Sequence, residues 1–131
     1  MEAINPESMG APKGYSNGML APAGGRLLFV AGQIGWNGQQ KLVSDAFAAQ
    51  FEQALRNVLT VVEHAGGRAQ HIGRLTVYVV SKDEYLRELK GVGAAYRSLM
   101  EKHYPAMALV EVRALVEPGA KVEIEATAVV P

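Results

Sequence analysis

The chain has 131 residues, 49% of them hydrophobic and 20% charged. That suits one folded domain with a real core and excludes a disordered or disulfide-dependent chain. Thirteen Lys and Arg balance thirteen Asp and Glu, and there is no Cys, so a broad positive field for nucleic acid or membrane, a thiolate nucleophile and cysteine-ligated metal are all excluded.

Residues 1–14 mix Pro6, Pro12, Gly10 and Gly14 with small polar residues, which predicts an extended arm on a single domain spanning 1–131. The start, Met1–Pro6, has no basic then apolar leader pattern, and no run of about 18 apolar residues occurs, so a cytoplasmic location is expected. From Gly18 to Ala31, two short apolar runs flank Pro22-Ala23-Gly24-Gly25 and predict a hairpin whose second strand, apolar on both faces, lies in the interior.

Between Asp45 and Ala65, Phe47, Phe51, Ala54, Leu55, Val58 and Val62 recur at helical spacing, with Gln50, Gln53, Arg56 and Asn57 opposite; Gly66-Gly67 ends the helix. Ile72–Val80 is β-branched and aromatic and predicts a strand, stopped by Ser81-Lys82-Asp83-Glu84, a capping box for a second helix. That helix carries Tyr85, Leu89, Val92, Tyr96, Leu99 and His103 on one stripe and ends near Tyr104-Pro105. Two alternating segments, Met107–Val116 and Lys121–Val129, flank Glu117-Pro118-Gly119 and predict a closing hairpin. The order ββαβαββ reads as an α+β fold, a mixed sheet with two helices on one face.

Period-two alternation in that hairpin sets Ala108, Val110, Val122, Ile124 and Ala126 under the helices, and Met107, Leu109, Glu111, Arg113, Glu123, Glu125 and Thr127 on the other face. A face mixing apolar and charged groups can simply meet water. It is read here as self-associating, because packing identical sheets around a symmetry axis covers it and leaves clefts between subunits.

Gly32-Gln33-Ile34-Gly35-Trp36-Asn37-Gly38 lacks the ending of a phosphate-binding loop and supports only tight turning against a close neighbour. His64, His71 and His103 never pair at i, i+4, and Ser81 is a cap, so no metal site and no serine nucleophile is expected. Glu111, Arg113, Glu123 and Glu125 fit either a cross-strand ion-pair ladder or, in a partly dry cleft, a carboxylate that positions or deprotonates water.

Leu28-Phe29-Val30-Ala31-Gly32-Gln33-Ile34-Gly35, Pro105-Ala106-Met107-Ala108-Leu109-Val110-Glu111-Val112 and Val122-Glu123-Ile124-Glu125-Ala126-Thr127-Ala128 resemble the RidA (YjgF) family of enamine/imine deaminases, from about Tyr15 to Val130. The resemblance implies a chorismate-mutase-like subunit in a homotrimer, with sites between neighbours that hydrolyse imines or enamines without a cofactor. It assigns Glu123 to the water-orienting acid and Tyr15 and Gly32 to the lining.

Two positions depart from the family pattern. Met107 stands where the deaminases have a carboxylate-clamping arginine, and Gly93 where many members have an asparagine. A thioether has no useful donor, so with Met107 and Leu109 as an apolar wall the expected substrate depends less on a carboxylate clamp. Arg113 lies about 20 Å along an extended strand from Met107, too far to replace it. The expected function is therefore deamination of reactive imines with an altered substrate range. The alternative is a non-catalytic trimer that binds a small metabolite or a protein.

Overall fold

The structure, a computed structural model, describes residues 1–131. Strands β1 (Glu2–Ile4), β2 (Gly18–Leu20) and β3 (Arg26–Ile34) precede helix α1 (Phe47–His64) and strand β4 (Ile72–Val79). Helices α2 (Lys82–Arg87) and α3 (Leu89–Met100) and strands β5 (Ala106–Glu111) and β6 (Val122–Val130) follow. The main sheet has the order β3-β6-β4-β5, antiparallel except for the parallel β4–β5 pair. This is the predicted α+β architecture, a mixed sheet with helices packed on one face, with the second helix split in two at Glu88.

Helix α1 forms as its spacing dictates. Phe47, Phe51, Ala54, Leu55, Val58 and Val62 are all buried and join Val30, Leu75, Val77, Ile124 and Ala126 in a core cluster of 21 residues. The chain then turns back, with the Gly67 N–H donating to the Val62 carbonyl at 2.9 Å. Gln50, expected on the solvent side, is fully buried. Its Nε2 donates to the Ser44 and Gly119 carbonyls at 2.8 and 3.0 Å, and its Oε1 accepts from the Lys121 N–H at 2.8 Å. Asn57 likewise turns inward, donating to the Ile34 and Trp36 carbonyls. Two loops close over this flank of α1, which the helical period cannot report because it registers only the side facing the sheet.

Ser81 caps α2, its Oγ accepting from the Glu84 N–H at 3.1 Å. Glu84 does not complete the box but pairs with Lys121 at 3.0 Å. His103 lies beyond α3, with Nε2 at 2.7 Å from the Ile72 carbonyl.

Pairing corrects five expectations. The arm is not wholly irregular, since β1 pairs antiparallel with β2. Strands β2 and β3 are not a hairpin, and β3 is a sheet edge rather than an interior strand, with Val30 buried under the helices and Phe29, opposite Thr127 on the open face, 74% exposed. Strands β5 and β6 are not a hairpin either, because β6 inserts between β3 and β4 while β5 runs parallel to β4 on the far edge. Helices α2 and α3 form the crossover that a parallel pair requires. Finally, Leu75 opposes Met107 and Val77 opposes Leu109, so Met107 and Leu109 lie under the helices, and Ala108 and Val110 lie on the open face. Every residue of 106–110 is apolar, so alternation alone carries no information about which set faces the core.

Candidate functional site

The open face of the sheet carries Glu123, Glu125 and Thr127 on β6, as their alternation with the buried Val122, Ile124 and Ala126 demands. The register of β3 against β6 shifts between Val30 and Gln33, and Gly32 sits in this bulge. The Glu123 carboxyl packs against Gly32 so closely that a Cβ there would meet its Cδ at 2.9 Å and its Cγ at 3.0 Å. Gly35, further along the same loop, touches Gln50 in the same way. Gly32 and Gly35 thus serve close approach, as the sequence suggests, whereas Gly38 of the same segment faces open space.

The structure separates the two β6 carboxylates. Glu125 accepts from Tyr78 Oη at 2.7 Å, a bond that holds the Tyr78 phenol above its ordinary value. Glu123 is half-buried, and no side chain or backbone group of the chain hydrogen-bonds or ion-pairs with its carboxylate. No ion-pair ladder forms. Glu111 accepts from the Lys82 N–H at 2.9 Å, Arg113 lies beyond the end of β5, and the ion pairs of the chain are Arg56–Glu52 and Lys121–Glu84.

Met107 and Leu109 line a different concavity, an apolar cleft of about 210 Å³ between α3 and the β5 edge. Phe51, Val92, Tyr96 and Tyr104 form much of its wall, with Tyr96 and Tyr104 stacked at 5.4 Å between centroids. Burial, then the neighbouring Tyr104, pushes the Tyr96 phenol up, and its hydroxyl donates to the His103 carbonyl at 2.8 Å. Tyr15 is 41% exposed and lines a separate shallow depression with His103 and Tyr104, while its neighbour Gly14 reaches the cleft. Ser16 fixes this stretch beside β5, its N–H donating to the Pro105 carbonyl at 3.1 Å and its Oγ to the Tyr104 carbonyl at 2.6 Å.

Within one chain, then, the structure joins Gly32 with Glu123 and Met107 with Leu109, and keeps the two pairs on opposite faces of the sheet. Sequence reasoning missed Phe51, Tyr104 and Arg97 as cleft residues. Arg97 had one sign, its i, i+4 spacing from Gly93. No group of three or more His, Asp or Glu is placed to hold a metal ion, and no helix is long and apolar enough to cross a membrane.

The chain is thus an α+β subunit of the mixed-sheet class, with one helix-covered face, an apolar cleft at one edge and a carboxylate without a partner on the opposite face. Residues 6–130 match the endoribonuclease L-PSP family, and the chain belongs to it, the RidA (YjgF) family. It is 38% identical over 108 residues to the 2-iminobutanoate/2-iminopropanoate deaminase of Escherichia coli K12, covering 80% of each chain. The human protein of the same name is 30% identical over 121 residues, covering 92% of this chain and 82% of that one. Among solved structures, the Rid family protein YyfB of Yersinia pestis, described as of unknown function, superposes with a TM-score of 0.84 at 35% identity over 98% of both chains.

Proposed function

We propose that this chain is a cofactor-free hydrolytic deaminase of reactive enamines and imines, assembled as a homotrimer in which Glu123 and Gly32 of one copy meet the apolar cleft of the next. The observation that carries the reading is the Glu123 carboxylate, half-buried against Gly32 and without a partner of its own. Support for the assembly is the separation of the cleft from that carboxylate, together with an uncovered sheet face bearing the exposed Phe29 and Leu27. The deaminase names of the Escherichia coli and human relatives supply the reaction class.

Glu123 accepts a hydrogen bond from a water and aims its oxygen at the imine carbon. As the C–O bond forms, the proton released by water passes to the carboxylate, which hands it on to the imine nitrogen, leaving a neutral carbinolamine. The carbinolamine then collapses: the carboxylate takes the hydroxyl proton as the C=O bond forms and returns it to the nitrogen as the C–N bond breaks, so that ammonia leaves. Imine and water give carbonyl and ammonia with no net change in Glu123. With Met107 in the family arginine's position, the substrate range is proposed to differ from that of the arginine-bearing deaminases.

The test is ammonia release from freshly generated imines, with and without an α-carboxylate, by the wild type and by Glu123→Gln. Turnover lost in the variant is the expected result, and full activity in it removes the mechanism. Ligand binding without turnover of any imine moves the function to the non-catalytic binder, which the replacement at Met107 favours.

A further inference from the structure

We infer that Arg97 is the anion-holding group of the apolar cleft, and that Gly93 is what lets its guanidinium in. The two residues stand one turn apart on α3, and both line the cleft. A Cβ at Gly93 would lie 3.1 Å from Arg97 Nη1 and 3.8 Å from its Cζ and Nη2, so the guanidinium lies over the bare backbone of the glycine. Any larger side chain there would have to displace it.

Arg97 is the only charged residue among those lining the cleft, and no carboxylate of the chain pairs with it. An ordinary helix-surface arginine finds an acid at i±4 or extends into water. Arg97 is exposed, yet it rests on the rim of a cavity walled by Val92, Leu89, Tyr104 and Met107, and its guanidinium makes no hydrogen bond or ion pair with the chain, although Glu101 stands at i+4. A guanidinium at the edge of an apolar wall offers two parallel N–H donors to a planar carboxylate. The ligand class that fits is a small carboxylate with a short apolar body, its hydrocarbon end against Met107 and Leu109. The identification of that ligand as a 2-imino acid or its keto product rests on the deaminase reading; the charge selectivity of the cleft does not.

The experiment is an amide-resonance titration of the full chain with 2-oxobutanoate and with butan-2-one, which differ by a methyl in place of the carboxylate. Wild type is expected to bind the acid about ten-fold or more tighter than the ketone, the range of a charge-assisted bidentate pair. Arg97→Gln abolishes that ratio while leaving the ketone affinity unmoved, Arg97→Lys recovers part of it, and Gly93→Leu, which fills the space of the guanidinium, lowers it. Far-ultraviolet circular dichroism verifies that each variant is folded. Equal binding of acid and ketone by wild type, or a ratio that survives Arg97→Gln, overturns the inference.

Ammonia release measured in parallel separates the two readings. Arg97-dependent acid binding without turnover keeps the inference and removes the hydrolase. Turnover with an acid preference indifferent to Arg97→Gln does the reverse.

Discussion

Met107 and Glu123 stand on opposite faces of one sheet. Met107 opposes Leu75 on β4 and points under the helices, whereas Glu123 opposes Tyr78 on the same strand and points away from them. A small molecule held against Met107 therefore cannot touch the Glu123 of its own chain. The proposed site is complete only when two copies meet.

That geometry makes subunit mixing informative. Glu123→Gln and Met107→Asp should each be inactive alone, since one lacks the proposed water-holding acid and the other puts a charge in the apolar cleft. Co-refolded in equal amounts, they should regain about a quarter of wild-type ammonia release, because random assembly gives each cleft one chance in four of two intact halves. A mixture as dead as its components would mean that each site is built from one chain.

Gly32→Ala tests the close approach itself. The added methyl has no room beside the Glu123 carboxyl and must push it aside, while Gly32 is exposed and contributes little to the core. Activity should fall about ten-fold or more from misplacement of the acid, with the melting temperature within a few degrees of wild type. Unchanged kcat/KM would show that the position of this carboxylate does not matter to turnover.

Gln50 offers a stability test remote from the chemistry. Its amide satisfies the Ser44 and Gly119 carbonyls and the Lys121 N–H at once, all from a fully buried position. Gln50→Leu keeps much of the volume and strands those three groups, for an expected loss of about 3 kcal/mol or more in urea unfolding. A loss under about 1 kcal/mol would mean that water reaches these groups once the amide is gone.

Alkaline pH should weaken the fold. Three of the five tyrosines are held above the ordinary value of 10.0: Tyr78 chiefly by its bond to Glu125, Tyr85 by burial, and Tyr96 by burial and then Tyr104. A phenol whose folded value exceeds its unfolded one contributes stability that is complete below the unfolded value and lost as pH rises toward the folded one. Urea midpoints should therefore hold up to about pH 10 and drop beyond it, less steeply in Tyr78→Phe. Midpoints that stay flat through that range would show these phenols ionising alike in both states.

Local pattern settled much of this protein. The 3.6-residue period of 47–62 built α1, Ser81 capped α2 where its spacing to Glu84 indicated, and the strict alternation of Val122–Ala126 with Glu123 and Glu125 placed both carboxylates on the open face. Gly32 and Glu123 were both legible as site candidates, and their contact bears out the reading of a glycine loop pressed against a neighbour. Pairing was not legible. Apolar runs at 18–31 and 107–129 looked like hairpins because neighbours in sequence usually pair, yet β6 passes between β3 and β4, and β5 crosses over to lie parallel to β4. That register, fixed by groups 30 or more residues apart, turned Met107 and Leu109 under the helices. The same long-range packing buried Gln50 and tied Glu125 but not Glu123. Periodicity reports how a residue's own segment is wetted; which segment covers it, and which carboxylate is left free, is decided only when distant strands choose their partners.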